Sequence, residues 1–206
     1  MDTTPPPPPQ GPRIPVSAAF SVRQRVVTTV LAVLLVGGVV LLRGITVTAL
    51  AYAFFVVIGV VLSAIDLRLR IIPNRIVVPA TGVALVLLAA ASTLDRDGAL
   101  HSGDVGQMVR VVLGGAALFL TFLVLALISP GGLGMGDVKF AAFIGIHLAF
   151  EGWRELLYGA AAGFIGAAVV GAALLLTRRV ARSSSIPFGP LMFLGAGVVL
   201  AVGTGG

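Results

Sequence analysis

The sequence predicts an all-α fold, a polytopic membrane helical bundle with about seven transmembrane segments. Of its 206 residues, 58% are hydrophobic and only 11% are charged, whereas soluble domains carry about a quarter of charged residues. The apolar runs are mostly too long for buried core helices, and brief polar clusters separate them. A single membrane domain therefore accounts for nearly the whole chain.

The apolar runs give the expected order of membrane spans. They are Val26–Leu42, Ile45–Ile65, Ile76–Leu94, Val111–Ser129, Val138–Phe150, Leu156–Thr177 and Pro190–Thr204. The fifth run is shorter than the roughly 20 residues that a perpendicular helix needs. We expect this span to borrow residues from its flanks or from the glycine-rich loop before it.

Composition divides the chain into three parts. Residues 1–20 contain the unbroken run Pro5–Pro9, which favours polyproline II and predicts a disordered tail. Residues 21–43 form an extra first span. Its apolar run is far longer than the h-region of a signal peptide, so we expect it to be retained. Residues 44–206 then make a domain of six spans.

The basic residues predict the orientation in the membrane. One set of alternating loops holds only Arg43, Arg96, Arg110 and Arg154, and the other set holds the remainder of the 14 Lys and Arg residues. By the positive-inside rule, the more basic side is cytoplasmic. The N-terminus is then cytoplasmic and the C-terminus external in a plasma-membrane protein. Because the cations lie in short loops rather than in one patch, no nucleic-acid partner is predicted.

Two acids lie at the predicted cytoplasmic boundary. Asp66 follows the second span and Asp137 precedes the fifth, and because only two spans lie between them, both occupy the same face. A carboxylate at membrane depth is costly and by default marks a functional site with a partner. Two carboxylates that share a proton can hydrolyse a peptide, one as base and one as acid. The alternative is a transporter or channel subunit in which the acids relay protons or bind a cation.

Glycines precede the second acid. Gly134 and Gly136, with Gly131 and Gly132 before them, lack a Cβ atom. This loop can therefore adopt positive φ and let a substrate backbone approach Asp137 closely. The alternative is a flexible turn between two helices.

Three segments together resemble a known family. Residues 134–139 read Gly-Met-Gly-Asp-Val-Lys and resemble the GxGD motif of the prepilin peptidases, also called type IV leader peptidases. Residues 66–74 resemble the segment that bears the first aspartate of that family, and residues 186–190 resemble its motif before the last helix. The resemblance runs from about Gly44 to the C-terminus.

The resemblance implies a membrane aspartic endopeptidase with Asp66 and Asp137 as the catalytic pair and no bound cofactor. Its partners would be the lipid bilayer and type IV prepilin or pseudopilin precursors, whose short basic leaders are cut at the cytoplasmic face during pilus assembly or protein secretion. Larger members also methylate the new N-terminus and carry paired cysteines that bind zinc. Since this chain has no cysteine, we expect a peptidase-only form with no methyl transfer and no metal. Presenilin-type GxGD proteases are a further alternative, but their Pro-Ala-Leu tripeptide does not occur in this sequence.

Three residues near the acids in the sequence have two interpretations each. Lys139 could bias the ionised form of the pair or hold a substrate carbonyl, or it could anchor the span at the membrane boundary. Pro73 and Asn74 could shape the pocket beside Asp66, although Pro after a helix is first of all a stop signal.

Other polar and small residues are expected to be structural. His101 and His147 are assigned to the external side without a cluster of further ligands, and the acids Asp95, Asp97 and Asp104 to a solvated external loop. Small residues recur every four positions at Gly159, Gly163, Ala167 and Gly171. This stripe favours close packing against helices of the same chain, with a homodimer as the alternative.

Overall fold

A computed structural model describes residues 21–95, 102–128, 133–176 and 187–203. Within these ranges the chain forms seven helices and no strand. They are α1 (Val22–Arg43), α2 (Val47–Leu69), α3 (Asn74–Leu94), α4 (Ser102–Ile128), α5 (Met135–Glu151), α6 (Trp153–Leu176) and α7 (Gly189–Val202). Five of these described helices, α1 to α4 and α6, are long and apolar enough to cross a membrane, while α5 and α7 have 17 and 14 residues. The predicted all-α membrane bundle is confirmed.

Several helix ends differ from the ends of the apolar runs. The short fifth span gains residues on both flanks, as expected. Helix α2 continues to Leu69, so Asp66 lies inside its last turn and not after it. Helix α4 begins at Ser102, so assigning Arg110 and Asp104 to a loop was wrong. The helical backbone continues past the apolar run because its hydrogen bonds do not depend on apolar side chains. The predicted N-terminal tail lies outside the described residues.

Helix α1 has a capped start and is joined to α2 by a tight reversal. At its start, Ser21 and Gln24 form a capping box, which satisfies backbone donors that a helix start leaves unpaired. Gly44 follows α1 with φ of 70°, a conformation that only glycine adopts readily. The side chain of Thr46 then accepts a hydrogen bond from the Ala49 N–H and caps α2.

Helices α4 and α5 form the most extensive contact of the bundle. A Cβ atom on Gly145 would lie 2.8 Å from the carbonyl oxygen of Gly114, so the two backbones nearly touch. The side chains of Arg110 and Gln107 donate hydrogen bonds to the carbonyl of Phe150 at the end of α5. Helix α5 is therefore held rigidly along its length and at its C-terminal end.

Helix α6 uses its small residues within the chain. A Cβ atom on Gly159 would lie 2.5 Å from Leu148 Cδ1 in α5, and one on Gly163 would lie 3.2 Å from Met192 Cα in α7. These two positions of the small-residue stripe thus allow α6 to pack closely on α5 and α7.

Aromatic rings fill the centre of the bundle around His147. The imidazole lies 4.7 Å from the ring centroid of Phe55 and 4.8 Å from that of Phe143, and its Nδ1 lies 2.8 Å from the carbonyl oxygen of Phe143. His147 is fully buried. It is a core residue, in the half of α5 that ends at Glu151.

The end of the bundle at the α1–α2 turn carries an ion pair. Arg43 Nη1 lies 2.9 Å from Glu151 Oε1, and the guanidinium stacks 4.1 Å from the ring centroid of Tyr52. Tyr52 donates to the same Glu151 oxygen. Although α1 has no buried residue among those described, Arg43 attaches its C-terminal end to α2 and α5.

At the same end, Asp95 caps a helix that begins 48 residues earlier in the chain. It accepts hydrogen bonds from the N–H groups of Val47 and Thr48 and from the Thr48 hydroxyl. The assignment of Asp95 to a merely solvated loop was therefore wrong. Although partial burial raises the pKa of Asp95, these three hydrogen bonds outweigh it, and the pKa lies below its ordinary value.

We expect Asp95→Asn to lower the free energy of unfolding in detergent by about 1 kcal/mol at neutral pH, because the start of α2 loses charge-assisted caps. A carboxyl whose pKa is lowered by folding contributes stability above its unfolded pKa, near 3.9, and loses it as pH falls through the folded value. The difference between wild type and variant should therefore shrink at acid pH. An equal difference at pH 7 and pH 3 in thermal unfolding would contradict this account.

Candidate active site

Asp66 lies in the last turn of α2 and is buried, with 4% of its surface exposed. Its Oδ2 atom accepts a hydrogen bond of 3.1 Å from the N–H of Gly189, the first residue of α7. A Cβ atom on Gly189 would lie only 3.0 Å from this oxygen. Glycine at this position therefore lets the start of α7 come close to the carboxylate.

Asp137 lies in the first turn of α5 and is partly buried. Its Oδ2 atom accepts a hydrogen bond of 3.2 Å from the N–H of Gly134, so the carboxylate sits at the positive end of the helix dipole. Its Oδ1 atom is buried and, among the described residues, has no hydrogen-bond partner. One oxygen orients the side chain, and the other is available for chemistry.

The structure brings the two acids together at one end of the bundle. Ile72 contacts Gly136, the neighbour of Asp137, and also contacts Gly189, whose N–H donates to Asp66. Both acids therefore lie at the same end of the bundle. Two like charges in one partly buried site are costly, which favours a state with one proton between the pair.

Ile72, in the connection between α2 and α3, sets the spacing of the site. A Cβ atom on Gly136 would lie 2.8 Å from both the Cβ and the carbonyl oxygen of Ile72, and one on Gly189 would lie 3.2 Å from Ile72 Cδ1. One buried side chain thus contacts the start of α5 and the start of α7. It holds the two helix starts that carry Asp137 and the donor to Asp66.

Gly134 and Gly136 do not use the positive φ that the loop could adopt. Gly134 has φ of −80°, Gly136 lies in the first turn of α5, and the only described glycine with positive φ is Gly44. Gly136 makes room for Ile72 of the same chain rather than for an unusual backbone conformation. Gly131 and Gly132 lie outside the described residues.

The remaining predicted residues form a bridge beside the dyad. Lys139 Nζ donates a hydrogen bond of 2.9 Å to Asn74 Oδ1. Pro73 precedes the first turn of α3, and its carbonyl accepts from the N–H groups of Ile76 and Val77. Lys139 and Asn74 therefore tie the start of α5 to the start of α3, on either side of the Ile72 connection.

Two residues of the site had no role assigned from the sequence. Gly189 and Ile72 both occur in the segments that carried the family resemblance, but their contacts join parts of the chain far apart in sequence. Only the motif context could have drawn attention to them. Within the described residues no group of three or more His, Asp or Glu side chains could hold a metal ion.

Comparison with known proteins agrees with this geometry. A family model described as the type IV leader peptidase family matches residues 52–203, a range that contains both acids, Ile72 and Gly189. The chain belongs to the type IV leader peptidase family.

Curated relatives in this family are each named prepilin leader peptidase/N-methyltransferase. The protein from Bacillus subtilis is 32% identical over 158 residues, which cover 77% of this chain and 57% of the relative. The one from Stutzerimonas stutzeri is 26% identical, covering 69% and 46%, and the one from Escherichia coli is 32% identical, covering 66% and 55%. This family member thus spans about half the length of these relatives. No solved structure matches it significantly.

We expect Gly136→Ala to lower the free energy of unfolding by about 1–3 kcal/mol, because the added methyl group collides with the backbone of Ile72. Gly82→Ala is the matched control, since a Cβ atom on this α3 glycine would meet nothing within 4 Å. The control should be neutral or stabilising by up to about 1 kcal/mol. Thermal unfolding in detergent measures both variants. If the two were equally stable, Ile72 would not set the spacing of the site.

Proposed function

We propose that this protein is a membrane aspartic endopeptidase that removes the short basic leader from type IV prepilin-like precursors. The observation that supports the proposal is the position of Asp66 and Asp137 at the same end of the bundle, where Ile72 contacts both helix starts. Asp137 Oδ1 there is buried and unpaired among the described residues. Family membership supports it, because the curated relatives are named for prepilin leader cleavage. The proposal is limited to this cleavage and does not extend to methyl transfer.

In the proposed reaction the dyad holds one proton. The ionised carboxylate takes a proton from water, and the water oxygen attacks the scissile carbonyl carbon while the protonated carboxyl donates to the carbonyl oxygen. The resulting diol then loses the amine. As the carbonyl bond re-forms, the leaving nitrogen takes a proton from one carboxyl, and a hydroxyl of the diol gives its proton to the other carboxylate. The dyad thus returns to its starting protonation, with one proton. The N–H groups of Gly134 and Gly189 hold the two carboxylates throughout.

The neighbouring residues have supporting roles in this proposal. Gly136 allows Ile72 to set the distance between the helix starts. Lys139 and Asn74 keep that arrangement rigid through their hydrogen bond, and Pro73 fixes the entry of the chain into α3. A site of this kind must hold its groups in productive geometry before substrate binds.

We further propose that the dyad faces the cytoplasm across the plasma membrane, with the N-terminus inside. The described basic residues support this orientation, because Arg23, Arg68, Arg70, Arg75 and Lys139 lie towards the dyad end, and the positive-inside rule assigns such an end to the cytoplasm. The same end would receive the basic leader of a precursor.

We also propose that α1 is an addition to a six-helix peptidase domain, residues 44–206. The family match begins only at residue 52, and α1 has no buried residue among those described. The homodimer is not proposed, because Gly159 and Gly163 already pack against Leu148 and Met192 of the same chain.

We expect Asp66→Asn and Asp137→Asn each to lower the cleavage rate by about 10²- to 10⁴-fold, because either change removes the acid–base pair. The substrate is a synthetic precursor with a short basic leader before an apolar helix, in detergent. Glu155→Gln, at the opposite end of the bundle, is the control and should cleave normally. If the Asp66→Asn and Asp137→Asn variants fold and still cleave, but vesicles that contain them show reduced proton or cation flux, the result would favour a transporter.

We expect the cleavage rate of the wild type to follow a bell-shaped dependence on pH, since the reaction needs one carboxyl protonated and the other ionised. Initial rates over the pH range in which the protein remains folded provide the measurement. A rate that rises steadily with pH would rule out chemistry with a shared proton.

A further inference from the structure

The contact between α2 and α7 contains a buried hydroxyl that the reaction described above does not use. Gly59 of α2 lies against the ring of Phe193 in α7. Asp66 of α2 accepts a hydrogen bond from the N–H of Gly189, the first residue of α7. Ser63 is four residues after Gly59 and three residues before Asp66, and such residues share one face of a helix. Ser63 therefore lies on the same face of α2, between the two contacts with α7.

The Ser63 hydroxyl is unusual among the described helical hydroxyl groups. Thr81, Thr121 and Ser92 each donate to a carbonyl of the preceding turn at 2.8 Å, which is how helical hydroxyls are usually satisfied. Ser63 is 9% exposed, and its Oγ atom has no partner within the described part of the chain. A buried hydroxyl without a partner is costly, so its position next to a catalytic pair calls for a functional explanation.

The position of Ser63 relative to the dyad indicates which part of a substrate it would meet. It lies about 4.5 Å from Asp66 along the helix axis, at a rise of about 1.5 Å per residue, in the direction of the bundle centre. A precursor cut at the dyad continues into the membrane on that side. Its backbone must be extended at the scissile bond, so its N–H and C=O groups need protein partners there.

We propose that the Ser63 hydroxyl binds the backbone of the precursor just beyond the scissile bond. This inference rests on the proposed peptidase function and adds a substrate-binding group to it. The hydroxyl can donate or accept a hydrogen bond. It is not bonded to its own helix in the structure, so the substrate backbone would be its hydrogen-bond partner. Asp137 Oδ1 is the second buried atom without a partner among the described residues at this end.

The first test compares Ser63→Ala with the wild type on the synthetic precursor. We expect kcat/KM to fall about tenfold, because a backbone group of the bound precursor loses its partner. Thermal stability should not fall, because the folded protein loses no hydrogen bond. Ser92→Ala is the control, since this buried hydroxyl lies in α3 far from the dyad, and it should leave cleavage unchanged. Undiminished cleavage by Ser63→Ala, or a rate loss that only follows a loss of stability, would overturn the proposal.

The second test changes the substrate. Replacing the first peptide bond after the scissile bond by an ester removes its N–H and weakens its carbonyl as an acceptor. On this substrate the effect of Ser63→Ala should shrink from about tenfold to less than about twofold, since the hydrogen bond is already lost. A full tenfold effect on both substrates would contradict a backbone contact.

A third pair of variants covers the case in which Ser63→Ala does not fold. Ser63→Thr keeps the hydroxyl and Ser63→Val replaces it with a methyl group of similar shape, so Thr should cleave about tenfold faster than Val. Equal rates would overturn the proposal. If the wild type itself does not cleave the precursor, the proposed function fails, whereas a cleaving wild type with an indifferent Ser63 removes only this inference.

Discussion

The arrangement of the dyad depends on backbone N–H groups at two helix starts. Gly134 at the start of α5 donates to Asp137, and Gly189 at the start of α7 donates to Asp66. A carboxylate near the membrane loses much of its hydration, and hydrogen bonds from a helix N-terminus replace part of it. The positive ends of two helix dipoles therefore meet where two negative charges would otherwise repel. Because only α6 lies between them, α5 and α7 begin at the same end of the bundle, and glycine lies at both starts.

The rest of the bundle fixes those two helix starts. Helix α5 is held along α4 by the close approach of Gly114 and Gly145 and is capped at its far end by Arg110. Ile72 fills the space between the starts of α5 and α7. At the opposite end, Glu151 joins Arg43 of α1 and Tyr52 of α2. Packing and polar contacts at a distance from the acids thus decide their separation, as pre-organised sites require.

The sequence predicted much of this arrangement, for identifiable reasons. Long apolar runs indicated the helices, and two crossings between Asp66 and Asp137 were enough to place both acids on one side. Contacts between distant segments could not be predicted in the same way. The roles of Ile72 and Gly189, and the capping of α2 by Asp95, depend on which helices are neighbours. Positive φ is not seen at Gly134 or Gly136, and close packing against Ile72 accounts for the glycine at position 136 instead.

The proximity of Asp66 and Asp137 can be measured directly, because the chain has no cysteine. The double variant Asp66→Cys with Asp137→Cys can be treated with dibromobimane, which becomes strongly fluorescent when it bridges two neighbouring thiols. Our account predicts a fluorescent intramolecular bridge in this variant and none when the second cysteine replaces Glu151 at the opposite end of the bundle. If both thiols of the Asp66–Asp137 pair react singly with a monofunctional reagent but are not bridged, the two acids do not meet, and the proteolytic account is contradicted.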